Sequence, residues 1–221
     1  LNWDNTIPGG QTVYVVIKNT VNKKSETVPV DLKVEIAPSY INPKNLEHCA
    51  LDSNASLFDI NQTVSEIIGS QTNVSVSFHN SEAEAIYDNN PLPGLYSISG
   101  NYKKVYFRVT NLSTGCLSVS SFDLIINQTP VFTTPKDMSI CDIFPLNINL
   151  KTIEPDIIGN HSNLKMTFYE AEADALNNHN SLPDIYILNS NPNYIYFRVT
   201  NELTGCFAVS KFGVNTNLKT D

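Results

Sequence analysis

Val105-Tyr106-Phe107-Arg108-Val109-Thr110-Asn111 recurs 90 positions later as Ile195-Tyr196-Phe197-Arg198-Val199-Thr200-Asn201. Thr114-Gly115-Cys116 recurs at the same offset as Thr204-Gly205-Cys206, so nine of the twelve positions from 105 to 116 are identical to their partners. Working outward, Ile67-Ile68-Gly69 matches Ile157-Ile158-Gly159, Phe78 matches Phe168, and Leu92-Pro93 matches Leu182-Pro183. Glu82-Ala83-Glu84-Ala85 likewise matches Glu172-Ala173-Asp174-Ala175. Upstream of Ile67 the offset becomes 92, pairing Pro43 with Pro135 and Cys49 with Cys141. The second copy is therefore two residues shorter there, a change that a surface loop absorbs at little cost. The chain is a duplicated module, read as residues 38–129 and 130–221.

Residues 1–37 read as module rather than leader. Val13 to Asn19 lines up with Val105 to Asn111, and Asp31-Leu32-Lys33-Val34 with Asp123-Leu124-Ile125-Ile126. This stretch is expected to be the C-terminal half of a preceding, cysteine-free copy. The competing reading is a divergent strand pair packed on the first full module.

Period-two alternation marks the strands. Val74, Val76 and Phe78 alternate with Ser75, Ser77 and His79, and Leu164, Met166 and Phe168 repeat the pattern. Val105, Phe107 and Val109 are assigned to the core, with Tyr106, Arg108 and Thr110 facing outward. Leu117 and Val119 are odd-numbered whereas Phe122, Leu124 and Ile126 are even, which calls for a β-bulge near Ser120-Ser121. Phe207, Val209, Phe212 and Val214 call for another at Ser210-Lys211. Ser81 followed by Glu82 and Glu84 reads as a capped helical turn, one per module. Short strands punctuated by Gly, Pro and Asn predict an all-β fold: tandem antiparallel β-sandwiches of immunoglobulin-like type. Pro38, Pro43, Pro130 and Pro135 bracket the junctions, which are expected to be short and stiff.

Composition narrows the function. Across 221 residues the formal charge is −8, against a basic nucleic-acid-binding surface. Apolar residues make up 41%, enough for packed cores, and no apolar run approaches the ~20 residues that span a bilayer. The segment is thus expected to insert in no membrane and to bind no nucleic acid. No Ser/His/Asp arrangement, Gly-rich phosphate loop or metal-binding helix motif occurs. Glu82 and Glu84 lie on an expected exposed turn and make a poor acid/base pair. The four histidines, His48, His79, His161 and His179, occupy unmatched positions without ligand spacing. The chain is read as non-enzymatic.

The cysteines fall one pair per module, Cys49 with Cys116 and Cys141 with Cys206. Of the three pairings that four cysteines allow, bonding within each module alone keeps the modules independent. That pairing is the expectation, and it implies an oxidising, extracytoplasmic compartment. The alternative is four reduced core thiols. Arg108 and Arg198 are the chain's only arginines and sit at equivalent positions. With Tyr106 and Tyr196 they are either repeated ligand patches or structural forks that lysine would replace poorly. The structural reading is preferred, with Glu84 and Asp174 as candidate carboxylate partners.

The succession of a leading Cys, Ile-Ile-Gly, a Phe strand, and Tyr-Phe-Arg-Val-Thr-Asn…Thr-Gly-Cys resembles the tandem modules of very large surface proteins of flavobacteria and other Bacteroidetes. The resemblance covers residues 38–221 as two copies and 11–37 as a fragment. It implies a secreted, cell-surface, adhesin-like molecule exported by the type IX secretion system, a group that includes gliding-motility adhesins. Its implied partners are neighbouring repeats of the same chain and a surface polysaccharide or other cell-surface ligand. Relatives often carry an acidic loop after the first Cys that points to calcium. Here Asp52-Ser53-Asn54 is what remains, leaving a weak calcium expectation near Asp52 and Asn54; otherwise no cofactor is expected. The competing function is a carbohydrate-binding sandwich that offers Tyr96 and Tyr186 to sugars.

Overall fold

A computed structural model describes residues 9–50, 56–141, 145–159, 161–190 and 194–216. In chain order the strands of the N-terminal stretch are β1 (Gln11–Lys18) and β2 (Ser25–Leu32). The first repeat contributes β3 (Leu46–Ala50), β4 (Ser56–Asp59), α1 (Val64–Ile68), β5 (Val74–His79), α2 (Glu82–Tyr87), β6 (Leu95–Ile98), β7 (Tyr102–Asn111) and β8 (Leu117–Gln128). The second contributes β9 (Met138–Ile140), β10 (Leu146–Asn149), α3 (Glu154–Ile158), β11 (Leu164–Tyr169), α4 (Glu172–Asn177), β12 (Ile185–Leu188), β13 (Tyr194–Asn201) and β14 (Phe207–Thr216).

Each repeat is an immunoglobulin-like β-sandwich with a few short helices. In the second, a four-stranded sheet in the order β11-β13-β14-β9 is faced by the two-stranded sheet β10-β12. Ile148 and Leu188 of the small sheet pack with Met166, Phe168, Ile195, Phe197, Val199, Phe212 and Val214 of the large one. The first repeat has the matching sheets β5-β7-β8-β3 and β4-β6. Its Val105, Phe107 and Val109 are fully buried, the face that their alternation selects. The preceding stretch is an antiparallel hairpin, with β1 and β2 paired from Gln11↔Leu32 to Lys18↔Ser25.

The chain divides into two compact units whose limits do not follow the sequence repeat. One holds the residues up to Leu46, Leu57–Ile98 and Lys103–Leu124; the other holds Glu47–Ser56, Ser99–Tyr102 and Ile125 onward. The segment that carries Cys49 therefore belongs with the second repeat.

Two local expectations are corrected. The pairing of β13 with β14 keeps a single register from Tyr194↔Gly213 to Thr200↔Phe207, so no bulge falls at Ser210-Lys211. In β8 the even-numbered Ser118 and Ser120 hydrogen-bond to Pro38 O (2.6 Å) and Asn42 Oδ1 (2.8 Å). The change from serine to Phe122, Leu124 and Ile126 marks where one face of a strand passes from a polar covering segment to the apolar core. On the other face of β14, Phe207 lies beneath the Arg198 guanidinium.

The second correction concerns helices. Ser81 caps α2 by accepting from Glu84 N, as its sequence indicates. A further helical piece precedes it in each repeat: a 3-10 turn, Ile60–Thr63 or Leu150–Thr152, running into α1 or α3. Asp59 and Asn149 open these turns by accepting from Asn61 N and Lys151 N. Their signal is only one turn long, too short for apolar periodicity to register.

The junction prolines sit within packed segments. Pro38, Pro43 and Pro130 are buried. Ile41 N donates to Ile67 O at 3.0 Å, and Thr133 N to Ile157 O at 2.9 Å. Tyr40 and Phe132 meet Phe107 and Phe197 edge-on, at 5.5 and 5.2 Å between ring centres.

Candidate disulfide clasp and its supports

The turn joining β13 to β14 is built around Asn201. Its Oδ1 accepts from Leu203 N (3.0 Å) and Thr204 N (3.3 Å). Its main chain donates to Cys206 O and accepts from Gly205 N, each at 2.8 Å. Thr204 Oγ1 accepts from Cys206 N at 3.3 Å, and Gly205 turns the chain at φ 72°. The β7–β8 turn repeats every one of these bonds from Asn111 to Cys116. The hairpin β1–β2 repeats the frame once more: Asn19 Oδ1 accepts from Val21 N and Asn22 N, and Asn19 N donates to Lys24 O. Lys24 stands there in place of the cysteine. The turn thus folds without a disulfide and acts as a presenter for whatever residue closes it.

The residue it presents at 206 is bonded to Cys49, with Cα atoms 5.6 Å apart and 157 positions between them in sequence. Cys116 and Cys141 are free thiols. The expected pairing of Cys49 with Cys116 and Cys141 with Cys206 is therefore replaced by one bond from the first repeat to the second. The reason lies in a parallel strand. Strand β9 runs parallel to β14, pairing Met138 with Val214 and Ile140 with Thr216. Cys141 is consequently level with the far end of β14, whereas Cys206 immediately precedes its first residue. Ten residues of strand separate the two ends by about 30 Å, and a disulfide tolerates about 7 Å between Cα atoms. In the first repeat, Asn127 Nδ2 donates to Glu47 Oε2 (2.7 Å) and Thr129 N to Ala50 O (3.1 Å). These bonds put Cys49 beside the end of β8 and Cys116 just before its start. Cys206 is fully buried, and its Sγ lies 3.9 Å from Asn127 O.

Arg108 and Arg198 hold the short helices to the large sheets. Arg198 Nη1 donates to Ala175 O (3.1 Å) and Leu176 O (2.9 Å), and Nε donates to Thr200 Oγ1 (3.1 Å). Arg108 makes the same set with Ala85 O, Ile86 O and Thr110 Oγ1, at 3.1, 2.6 and 2.8 Å. These carbonyls belong to the last turns of α2 and α4, which lack helical donors of their own and carry partial negative charge. The guanidinium forks thus engage main chain, while Glu84 accepts from Asn80 N and Asn90 Nδ2. Asp174 similarly accepts from Asn180 Nδ2. Burial lowers the Arg198 pKa, opposed by the interaction with Tyr169.

The remaining candidates are dispersed. Tyr106 and Tyr196 pair across strands with His79 and Tyr169. His79 and Tyr169 are fully buried equivalents that sequence reading left out of the core. The His79 ring nitrogens contact Ser77 Oγ and Asn89 O, each at 2.9 Å. Tyr169 OH contacts Thr167 Oγ1 and donates to Asn178 Oδ1. Tyr96 and Tyr186 are half-buried and donate their hydroxyls internally, to Asn80 Oδ1 (2.9 Å) and to Glu170. Asp52 and Asn54 lie outside the described residues. Among the described residues no group of three or more His, Cys, Asp and Glu side chains could hold a metal ion, and no helix is long and apolar enough to cross a membrane.

No curated protein is similar to this chain in sequence. Among solved structures, immunoglobulin domains 1–5 of Sidekick-1 overlap 92% of it at 14% identity and TM-score 0.33, the chain matching 46% of that protein. Extracellular domains 3–5 of Drosophila OTK overlap 89% at 13% identity and TM-score 0.33, with 69% of that chain matched. An endo-fucoidan hydrolase of glycoside hydrolase family 107 overlaps 97% at 11% identity and TM-score 0.21, with 35% of its length matched. The chain thus spans under half of Sidekick-1 domains 1–5 and about a third of the hydrolase. Matches at these scores bear on neither activity nor partners. The repeat itself is more telling: residues 45–130 and 137–220 each match one domain family, and with its bond from Cys49 to Cys206 this chain belongs to the Flavobacterium inter-domain disulphide bond domain family.

Proposed function

We propose that the chain is a stapled stalk segment of a secreted, surface-displayed repeat protein of the adhesin type. Export by the type IX system and service in gliding or surface attachment are part of this reading, supported by the resemblance set out above. A disulfide belongs to an oxidising compartment, which favours an extracellular location. The bond between Cys49 and Cys206 carries the proposal. Tension applied at the two ends of the chain passes through it and bypasses the 157-residue span between the two cysteines. The residues from Cys49 to Cys206 then bear no load and do not lengthen, whereas β1, β2 and β14 lie outside the closed span. The arrangement gives no support to catalysis: Glu82 and Glu84 occupy the first turn of α2. The glycan-binding alternative is weakened because the hydroxyls of Tyr96 and Tyr186 already serve internal bonds.

Single-molecule pulling from the chain ends tests this. With the bond intact, the span of 157 positions stays closed; reduction then adds about 550 Å of contour at 3.5 Å per residue. Equal contour lengths before and after reduction would remove the load-bearing reading.

A further inference from the structure

We propose that β1 and β2 are the inner strand pair of a third sandwich, and that their apolar face and outer edges receive the N-terminal half of a further copy of the repeat. The inference stands apart from the stapled-stalk reading, because the turn of this hairpin closes on Lys24 and holds no cysteine. Its first support is register. Val13 pairs with Val30 and Lys18 with Ser25. The residues 182 positions further on are Ile195 with Phe212 and Thr200 with Phe207, which are pairs of β13 with β14. The two hairpins agree pair by pair.

The second support is exposure. In the second repeat Ile195, Phe197 and Val199 are fully buried, and Phe212 is 3% exposed. Residues directly opposite in an antiparallel pair share a face, so the equivalent hairpin face carries Val13, Val15, Ile17, Val28, Val30 and Leu32. There Val15, Ile17, Val28 and Val30 are 47, 57, 38 and 38% exposed. On the opposite face Tyr14 and Val16 are 68 and 53% exposed, so both faces stay largely open. A contiguous apolar strip of this kind marks an interaction surface.

The repeat specifies the occupant. The outer edge of β1 corresponds to the edges of β7 and β13 that pair with β5 and β11, so it fits an antiparallel strand of the Val74-Ser75-Val76-Ser77-Phe78 pattern. The outer edge of β2 corresponds to that of β14, which takes β9 in parallel from Val214 to Thr216; the equivalent residues are 32–34. Pro29, which offers no N–H, lies outside that stretch and does not obstruct the pairing. The apolar face fits a small sheet, as Ile148 and Leu188 pack with Phe197 and Phe212. Two hairpins set face to face would leave every outer edge unpaired, an arrangement that folded proteins avoid, so the half-repeat is preferred to a second copy. One clamp is missing: Val16 stands where Arg108 and Arg198 bind the carbonyls of α2 and α4.

The test extends the full chain. Residues 38–104, with Cys49→Ser in the copy, replace residues 1–12 directly ahead of Val13, so that the copied half runs into β1 as it runs into Val105. A second version adds Val16→Arg to restore the clamp. Hydrogen exchange of the β1 and β2 amides, read by mass spectrometry, is expected to slow at least about a hundredfold relative to the unextended chain. Protection in either version that is lost on Val15→Asp supports the inference. Unchanged exchange in both versions, or protection that survives Val15→Asp, would overturn it. So would a dimer of the unextended chain that Val15→Asp dissociates, because the face would then belong to a second copy. None of these outcomes bears on the Cys49–Cys206 staple.

Discussion

The guanidinium carbon of Arg198 lies 3.3 Å from the ring centre of Phe207. That stacking, with the two carbonyl bonds to α4, covers an apolar residue on the outer face of β14 and explains why a strand can carry apolar side chains on both faces without a bulge. A lysine at this position has neither the fork nor the plane. Arg198→Lys is expected to cost about 2 kcal/mol, the scale of charged hydrogen bonds that go unmade. Thermal unfolding of the variant should show a midpoint several degrees lower. An unchanged midpoint would mean that the carbonyls find equivalent donors in water and that the arginine is not structural.

The turn glycines separate folding from clasping. Gly115 and Gly205 have φ of 73° and 72°, and a Cβ at either meets nothing within 4 Å. Alanine there is opposed by backbone strain alone, about 1–2 kcal/mol. Gly205→Ala should therefore both destabilise the second repeat and slow re-formation of Cys49–Cys206 after reduction. Gly115→Ala should carry a similar stability cost and leave that re-formation rate unchanged. Denaturant titration gives the first quantity and timed thiol trapping the second. Equal slowing by both variants would show that the turn does not present Cys206.

Removing the staple has a different signature. Closing a loop across 157 positions contributes about 5 kcal/mol in the chain-entropy model. Cys206→Ser should lower stability by up to this amount, whereas Cys116→Ser should leave the denaturant midpoint of the monomer in place. If both variants behaved alike, the disulfide would contribute nothing to holding the fold.

The contrast between Val105 and Cys49 shows how far the sequence could be read. Alternation around Val105, Phe107 and Val109 sets a strand and its inward face, because side-chain direction is a property of the strand itself. The Thr-Gly-Cys turn is similarly local. The partner of Cys49 depends on β9 lying parallel to β14, and by equivalence on the same arrangement of β3. Parallel pairing is set by tertiary packing and leaves no mark in spacing, so module independence points to the wrong bond. The arginine acceptors escaped for a related reason. Carbonyls of Ala85 and Ile86 are invisible as residue types, whereas Glu84, one position away, is a conspicuous carboxylate that turns out to bond elsewhere.

Tyr186 sets an alkaline limit on stability. Burial first, and then its hydrogen bond to Glu170, push the phenol pKa up to about 12 from 10.0. The native state therefore holds this proton more tightly than the unfolded chain. Its contribution is complete below pH about 10, where both states keep the proton, and is lost as pH rises from there toward about 12. The side chain is half-buried, so solvent still reaches the phenol and screens the effect, and the direction is the useful quantity. Stability should fall across this window in the wild-type chain and fall less steeply in Tyr186→Phe. The difference in tyrosinate absorbance between the two proteins should show a phenol that titrates late. A Tyr186→Phe variant with the same alkaline slope as wild type would place the loss in other groups and leave the contact with Glu170 without energetic consequence.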